Sequence, residues 1–126
     1  MKTIKFIVEK VARGYSAYAQ ERAIMTEADT LQELKSDIAA ALDQQCENLG
    51  TDVQQLKVVL VYDVPALFDA FNFINAKSFA QRIGMNNTLL NHYAQGVKKP
   101  GAKQKTRILE GMQAMALEMA SVRLSA

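Results

Sequence analysis

Amide and hydroxyl side chains recur at helical spacing in the second half of this 126-residue sequence. A helix over this segment would present Asn87, Thr88, Asn91, His92 and Gln95 outward. Asparagine and glutamine pair bidentately with adenine in the major groove of DNA, and threonine contacts the methyl group of thymine. A solvated helix more often carries glutamate and lysine, so this face is interpreted as a reader of base edges. The candidate base-reading residues are Asn86, Asn87, Thr88, Asn91, His92 and Gln95.

The charge of the chain is divided unevenly between its halves. Residues 75–126 contain eight Lys/Arg and two Asp/Glu, whereas residues 1–74 contain seven Lys/Arg and eleven Asp/Glu. A basic half attracts a polyphosphate partner through long-range steering and counterion release. Lysines that contact the phosphate backbone position a protein on DNA without reading its sequence. The candidate phosphate contacts are Lys77, Lys98, Lys99 and Lys103, and Lys105 and Arg107 extend the basic stretch.

Two helices joined by a short turn are needed to position this polar face. Such a pair requires apolar residues on the facing sides, a small residue at the crossing, and a turn residue that tolerates positive φ. Ala80 is the small residue and Gly84 suits the turn, while Asn86 or Asn87 can cap the second helix. The predicted core of this helix-turn-helix, within Ala76–Gln95, is Phe79, Ala80, Ile83, Gly84, Leu90 and Tyr93.

A last helix is predicted from about Lys103 to Val122. Its apolar residues follow the 4-3-4-3 spacing of a coiled-coil seam. Two heptads do not decide between a stripe that closes the domain's own core and a seam between two copies. We nevertheless predict a homodimer or a larger assembly, because two half-sites supply the affinity that one small module rarely has. The residues of the stripe are Ile108, Met112, Met115, Met119 and Val122.

The first half of the chain is predicted to form a small sheet with one helix packed across a face. Ile4, Phe6 and Val8 alternate with residues assigned to the other face, which is the period of a strand. Thr30 begins a capping box, and apolar residues recur at helical spacing as far as Gly50. The predicted strands are Thr3–Lys10, Tyr15–Ala19 after the Arg13-Gly14 turn, a short strand near Ala23–Thr26, and the buried run Leu56–Tyr62.

The boundary between two domains is predicted at Asp63 and Pro65. Aspartate is favoured at a helix N-cap, and proline is favoured in the first helical turn. The chain is therefore expected to be α+β, with a small β-hairpin/α/β interaction domain in residues 1–62 and an all-α helix-turn-helix domain in residues 63–126. The apolar side of the helix at the boundary is predicted to contain Leu67, Phe68, Phe71 and Ile74.

Two segments of the chain resemble known families. Residues 77–100, from Lys77-Ser78-Phe79-Ala80 to the closing Gly96-x-x-x-Pro100, resemble the Cro/C1-type (Xre-like) helix-turn-helix. Residues 1–10, 15–19 and 29–35 resemble HicB-type antitoxins. The second resemblance implies a partial RNase H-like N-terminal domain that binds a small HicA-type toxin. It also implies a C-terminal domain that binds DNA and represses the operon, usually as a dimer or a larger assembly.

One loop departs from the HicB pattern. Residues 20–28 lack the Pro/Gly-rich segment common in that family and carry Glu21, Arg22, Met25 and Glu27 instead. This departure leaves open an orphan regulator that keeps the scaffold without a toxin partner.

Catalysis and metal binding are not expected. A nuclease needs clustered carboxylates that hold divalent metal. The five acidic residues considered for this role are spread over a predicted strand and two predicted helices. His92 and Cys46 are the only histidine and cysteine, so the chain offers neither a cysteine-based metal cage nor an internal disulfide. We predict no catalytic site, no metal and no cofactor. The acidic residues considered are Glu9, Asp37, Asp43, Asp63 and Asp69.

The location and the function follow from these features. No apolar run is long enough to cross a bilayer and no secretory signal follows Met1, so a cytoplasmic protein without a membrane partner is expected. The partner is predicted to be double-stranded DNA, bound by a repressor that is the antitoxin of a HicA/HicB-type pair and regulates its own operon. The alternative is a protein-interaction module, toxin-neutralising or orphan, whose helix-turn-helix does not bind DNA.

Overall fold

A computed structural model describes residues 2–50 and 52–125, apart from the side chains of Leu49 and Gln54. The chain is α+β and folds as two units, Met1–Ala70 and Phe71–Ala126. Within the described residues, no helix combines the length and the apolar character needed to cross a membrane. The elements are β1 (Lys2–Lys10), β2 (Tyr15–Ala19), β3 (Met25–Ala28), α1 (Leu31–Leu49), a 3₁₀ turn (Val53–Gln55), β4 (Leu56–Tyr62), α2 (Val64–Ala70), α3 (Ala76–Ile83), α4 (Asn87–Ala94) and α5 (Ala102–Ala120).

The first unit is a four-stranded mixed sheet in the order β3-β2-β1-β4. β1 pairs antiparallel with β2 and parallel with β4, and β2 pairs antiparallel with β3. The alternation of β1 is confirmed, because Ile4, Phe6 and Val8 are buried on the face that α1 covers. The α1 side chains in this core are Leu34, Ile38 and Leu42. Thr30 caps α1 by accepting from Glu33 N–H at 3.1 Å, and Gly50 ends the helix in the left-handed region.

Two predicted strands differ in detail from those observed. β3 is Met25–Ala28 rather than Ala23–Thr26, because a tight turn precedes it in which Ile24 N–H donates to the Arg22 carbonyl at 2.8 Å. The run Leu56–Tyr62 forms a strand, but the prediction that it is buried was wrong. β4 lies at the edge of the sheet, where Val58 and Val61 remain 41% and 40% exposed.

Helix α2 belongs to the first unit, not to the second as the predicted boundary between residues 62 and 63 required. Asp63 caps this helix as expected, since its Oδ1 accepts from Ala66 N–H at 2.8 Å. Ala66 is fully buried in the sheet core, which explains why α2 stays with the first unit. The helix ends at Ala70, so Phe71 and Ile74 lie outside it.

A buried tyrosine also connects α2 to the sheet. The Tyr15 hydroxyl donates a hydrogen bond to the carboxylate of Asp69. Burial, together with the hydrogen bond to Asp69 and the negative charge of that carboxylate, raises the pKa of Tyr15 to about 12. The neutral phenol is therefore the form that the folded first unit favours.

The second unit contains α3, α4 and α5. A Cβ atom placed on Gly111 of α5 would lie 2.4 Å from Ile83 Cγ2 and 3.2 Å from Phe79 Cζ of α3. Glycine at this position therefore allows the two helices to approach closely. Arg82 of α3 forms an ion pair with Glu118 of α5.

Gly111→Ala is expected to destabilise the second unit, although alanine ordinarily stabilises a helix by about 1 kcal/mol relative to glycine. The new methyl group overlaps the branch methyl of Ile83, which cannot swing away because β-branched side chains are stiff at χ1. Overpacking of this kind costs about 1–3 kcal/mol, measured as the free energy of urea unfolding. The double variant Gly111→Ala/Ile83→Leu, which removes that branch methyl, should recover part of the loss. A single variant more stable than the wild type would contradict the close helix contact.

Candidate nucleic-acid interface

Helices α3 and α4 are joined by a short turn that begins at Gly84. Gly84 has a φ of 69°, in the left-handed region that favours glycine, and its N–H donates to the carbonyls of Ala80 and Gln81. Asparagine caps both helices. Asn75 Oδ1 accepts from Ser78 N–H at 2.9 Å, and Asn86 Oδ1 accepts from Leu89 N–H at 3.1 Å. Local hydrogen bonding thus defines both the end of α3 and the start of α4.

The residues predicted to form the core between these helices are mostly buried. Phe79, Ala80, Leu90 and Tyr93 are buried, and Ile83 is half-buried against α5. Gly84 is exposed and acts through its backbone. Sequence reasoning missed one member. Met85 lies in the turn between the helices and is buried.

Four of the six candidate base-reading residues share an exposed face of α4. Asn87, Thr88, Asn91 and Gln95 are exposed, and their spacing of three, four and seven positions puts them on one side of the helix axis. Tyr93 is buried on the opposite side, and Leu90 is buried beside it. The helix is therefore amphipathic, with a row of amide and hydroxyl groups directed to solvent.

The other two candidates have different surroundings. Asn86 is the N-cap of α4, so its side-chain oxygen already accepts a backbone N–H group. His92 was predicted to project outward, but it is half-buried, and its Nδ1 is buried with no hydrogen-bond partner among the described residues. The chain folds back at this point, since the N–H groups of Val97 and Lys98 donate to the His92 carbonyl at 2.9 and 3.3 Å. His92 therefore lies at the margin of the polar face.

The four candidate phosphate-binding lysines are all exposed. Lys77 is in the first turn of α3, Lys98 and Lys99 follow α4, and Lys103 is in the first turn of α5. The N-cap residue of α5 is Gly101, which has no side chain that could accept a hydrogen bond from the first turn. Asparagine side chains fill this role in α3 and α4. The first N–H groups of a helix carry partial positive charge and favour an anion when no side chain accepts from them.

Two arginines of the second unit, Arg107 and Arg82, bind other residues of the same unit. Arg107 Nη2 donates to the carbonyls of Ile83 and Gly84 at 2.9 Å each, and Nη1 donates to Gln104 Oε1 at 3.0 Å. The expectation that Arg107 extends the basic surface is corrected, because its guanidinium satisfies the carbonyls at the end of α3. No local sequence signal indicates this contact, since Arg107 is far from α3 along the chain. Arg82 is engaged by Glu118.

Two of the carboxylates considered for catalysis, and the cysteine, have structural roles in the first unit. Asp63 caps α2, Asp69 accepts from Tyr15, and Cys46 is buried on α1. Within residues 2–50 and 52–125, no three His, Cys, Asp or Glu side chains lie close enough to hold a metal ion together. The most distinctive polar arrangement of the described residues is thus the outer face of α4 with the lysines around it.

No protein-family model, curated protein or solved structure matches the chain at a significant level.

Proposed function

We propose that this chain is a sequence-specific DNA-binding transcriptional repressor in which α3 and α4 form a helix-turn-helix. The observation that carries the proposal is an exposed polar row opposite the buried Tyr93, made of Asn87, Thr88 and Asn91 on α4 and Gln95 at its C-cap. Amide groups can donate and accept at the same time, which bidentate pairing with adenine requires. An α-helix with its side chains is about 10–12 Å across, which fits a major groove about 12 Å wide.

Charge supports the same interpretation. The segment after α4 contains Lys98 and Lys99 and leads into the first turn of α5, where Gly101 is the N-cap and Lys103 is exposed. Together these groups offer flexible cations and oriented N–H groups to the phosphate backbone. Phosphate contacts of this kind orient the reading helix without selecting a sequence.

The regulatory role rests on resemblance. The segments that resemble the Cro/C1-type helix-turn-helix and the HicB-type antitoxins together span both units of the chain. We therefore propose that the protein is the antitoxin of a HicA/HicB-type pair, with a partial RNase H-like first unit, and that it represses its own operon.

A second candidate function is a protein-interaction module whose helix-turn-helix does not bind DNA. The observation that favours it is an apolar row across the sheet, on the face opposite the one that α1 covers. Residues at matching register in the four strands are Val61, Ile7, Tyr18 and Met25. Met25 is 71% exposed, and Tyr18 and Val61 are partly exposed. Such a row suits docking of a small protein such as a HicA-type toxin.

The DNA proposal is tested by measuring binding of the full chain to the DNA upstream of its own gene and to random duplex, over a series of salt concentrations. We expect preference for the upstream DNA, and a log–log salt slope of about −0.9 for each phosphate contacted. Asn87→Ala/Asn91→Ala should reduce the preference by about 1–3 kcal/mol for each bidentate pair lost, with the salt slope retained. Lys98→Gln/Lys99→Gln should weaken binding to both duplexes equally and make the slope shallower.

A matched control is Gln32→Ala/Gln44→Ala, which removes two exposed amides from α1. This variant should bind both duplexes like the wild type. Absence of binding at low salt would reject the repressor and favour the protein-interaction module. Binding with equal affinity for both duplexes would reject base reading by α4 and leave only a nonspecific DNA-binding surface.

A further inference from the structure

The asparagines of α4 and its cap differ in whether their side-chain groups are free. Asn86 caps the helix, so its Oδ1 already accepts from Leu89 N–H at 3.1 Å. Asn87 and Asn91 are exposed, and no hydrogen bond among the described residues occupies either carboxamide. Each of these two side chains therefore keeps one oxygen that can accept and one NH₂ group that can donate.

A free carboxamide fits adenine better than guanine in the major groove. Adenine presents an acceptor, N7, beside a donor, the N6 amino group, and a carboxamide supplies the matching donor and acceptor. Guanine presents two acceptors, N7 and O6, and a bidentate contact with it needs two donors, as arginine provides. The carboxamide oxygen would face the lone pairs of O6 instead. Asn87 and Asn91 are therefore each expected to select an A·T base pair.

The rest of α4 has no side chain suited to guanine. The helix, Asn87–Ala94, contains neither lysine nor arginine, and the first cation after it is Lys98. His92 is half-buried and its Nδ1 is buried, so it cannot offer two donors to one base. Thr88 is exposed and can contact the methyl group of thymine. The outer face of α4 is therefore complementary to A·T pairs.

The spacing of Asn87 and Asn91 suits two base pairs of one site. The residues are four positions apart on α4, which puts their Cβ atoms about 5–6 Å apart on one side of the helix. Successive bases of one DNA strand are about 3.4 Å apart along the duplex axis. The two carboxamides can therefore engage adenines within about two base-pair steps of each other. Asn87 is in the first turn, which is the part of a recognition helix that contacts base edges.

We propose that α4 selects A·T pairs through the N6 and N7 atoms of two adenines, and that N6-methylation of these adenines weakens binding. The inference rests on the proposed repressor function and names the bases, and the DNA modification, to which that function responds. One N6–H of adenine pairs with thymine, so in the duplex a methyl group on N6 replaces the other N6–H, in the major groove. The oxygen of Asn87 or Asn91 then loses its donor and meets a methyl group.

Methylation should affect specific binding alone. An acceptor that is buried in the contact without a donor carries its full desolvation cost, and each bidentate pair corresponds to about a 5- to 150-fold change in affinity. Lys98 and Lys99 are exposed and are proposed to contact phosphates, which N6-methylation leaves unchanged. The affinity for methylated operator should therefore fall towards that for random duplex, while the salt slope stays the same.

The test begins with selection of duplexes by the full chain from a random-sequence library. We expect the enriched site to contain at least two A·T pairs in a short core. Each core adenine of the enriched duplex is then replaced in turn by 7-deazaadenine, which lacks N7, or by N6-methyladenine. Both analogues keep the pair with thymine and the minor-groove edge, so they separate base reading from recognition of DNA shape. Either analogue at a contacted adenine should raise the dissociation constant about 5- to 150-fold.

Single variants connect each asparagine to its base. Asn91→Ala should lose the response to N6-methylation at one adenine and keep it at the other, and Asn87→Ala should show the converse. Gln113→Ala is the matched control, because it removes an exposed amide from α5 at a point about 18 Å along that helix from Gly101. This variant should respond to both analogues like the wild type.

The outcomes separate this inference from the repressor proposal. An enriched core of G·C pairs would overturn the inference and leave the repressor proposal standing. So would an A·T core whose adenines tolerate both analogues, because the chain would then recognise the shape of the DNA. Failure to enrich any sequence would overturn both proposals.

Discussion

Leu90→Ala is expected to lower the free energy of unfolding of the second unit by about 2–5 kcal/mol. Leu90 is fully buried at the contact of α4 with the rest of its unit, and truncation would leave a cavity there. A domain of this size has only a few kcal/mol of stability in total. The variant should therefore lose dispersed amide NMR signals from α3, α4 and α5, and under the repressor proposal it should also lose DNA binding.

The control is Leu109→Ala, the same substitution at an exposed position of α5. Surface truncations change stability by about 0.5 kcal/mol or less, so this variant should unfold like the wild type. Equal stability of the two alanine variants would mean that Leu90 does not lie in a packed core.

Gly14→Ala is expected to lower the free energy of unfolding of the first unit by an amount comparable with that of Leu90→Ala in the second. Gly14 has a φ of 84°, and a Cβ atom there would lie 2.1 Å from the Ala28 carbonyl oxygen and 2.7 Å from Asp29 Cα. Those are backbone atoms of the segment that contains the end of β3, so they cannot move without disturbing the sheet. The left-handed conformation alone costs a residue with a Cβ about 1–2 kcal/mol, and the overlap adds to that cost.

Gly50→Ala separates the two contributions. Gly50 also has a positive φ, of 68°, but apart from its chain neighbours and its own helix no atom lies within 4 Å of an added Cβ. In urea unfolding, Gly50→Ala should show the conformational cost alone, and Gly14→Ala should lose at least twice as much stability. Similar losses in the two variants would show that the β1–β2 turn can move away from Ala28.

The elements that sequence analysis predicted well are those set by local interactions. Thr30 and Gly50 bound α1 through side-chain and left-handed caps, and Gly84 ends α3 in the same way. The alternation of Ile4 with its neighbours identifies β1 and its buried face because a strand repeats every two residues. Each of these signals lies within a few residues of the structure it determines.

The features that were missed depend on contacts between distant parts of the chain. β4 is as apolar as a central strand, but its edge position follows from the order in which strands pair. Ala66 keeps α2 in the first unit through burial against the sheet. Arg107 resembles any surface cation in the sequence, yet it binds carbonyls at the end of α3. Met85 looks like part of a polar turn and is buried.

The pairing of β1 with both a near and a distant strand has a consequence for the order of folding. Its antiparallel partner β2 follows after a short turn, whereas its parallel partner β4 begins only at Leu56, which pairs with Lys2. Closing a long loop costs more chain entropy than closing a short turn, and distant pairings slow folding. During synthesis, the β1–β2 hairpin can form while the chain beyond α1 is still absent. The edge of β1 that receives β4 then stays open to other strands until the chain has emerged past Tyr62, which makes that interval the stage most exposed to misassembly.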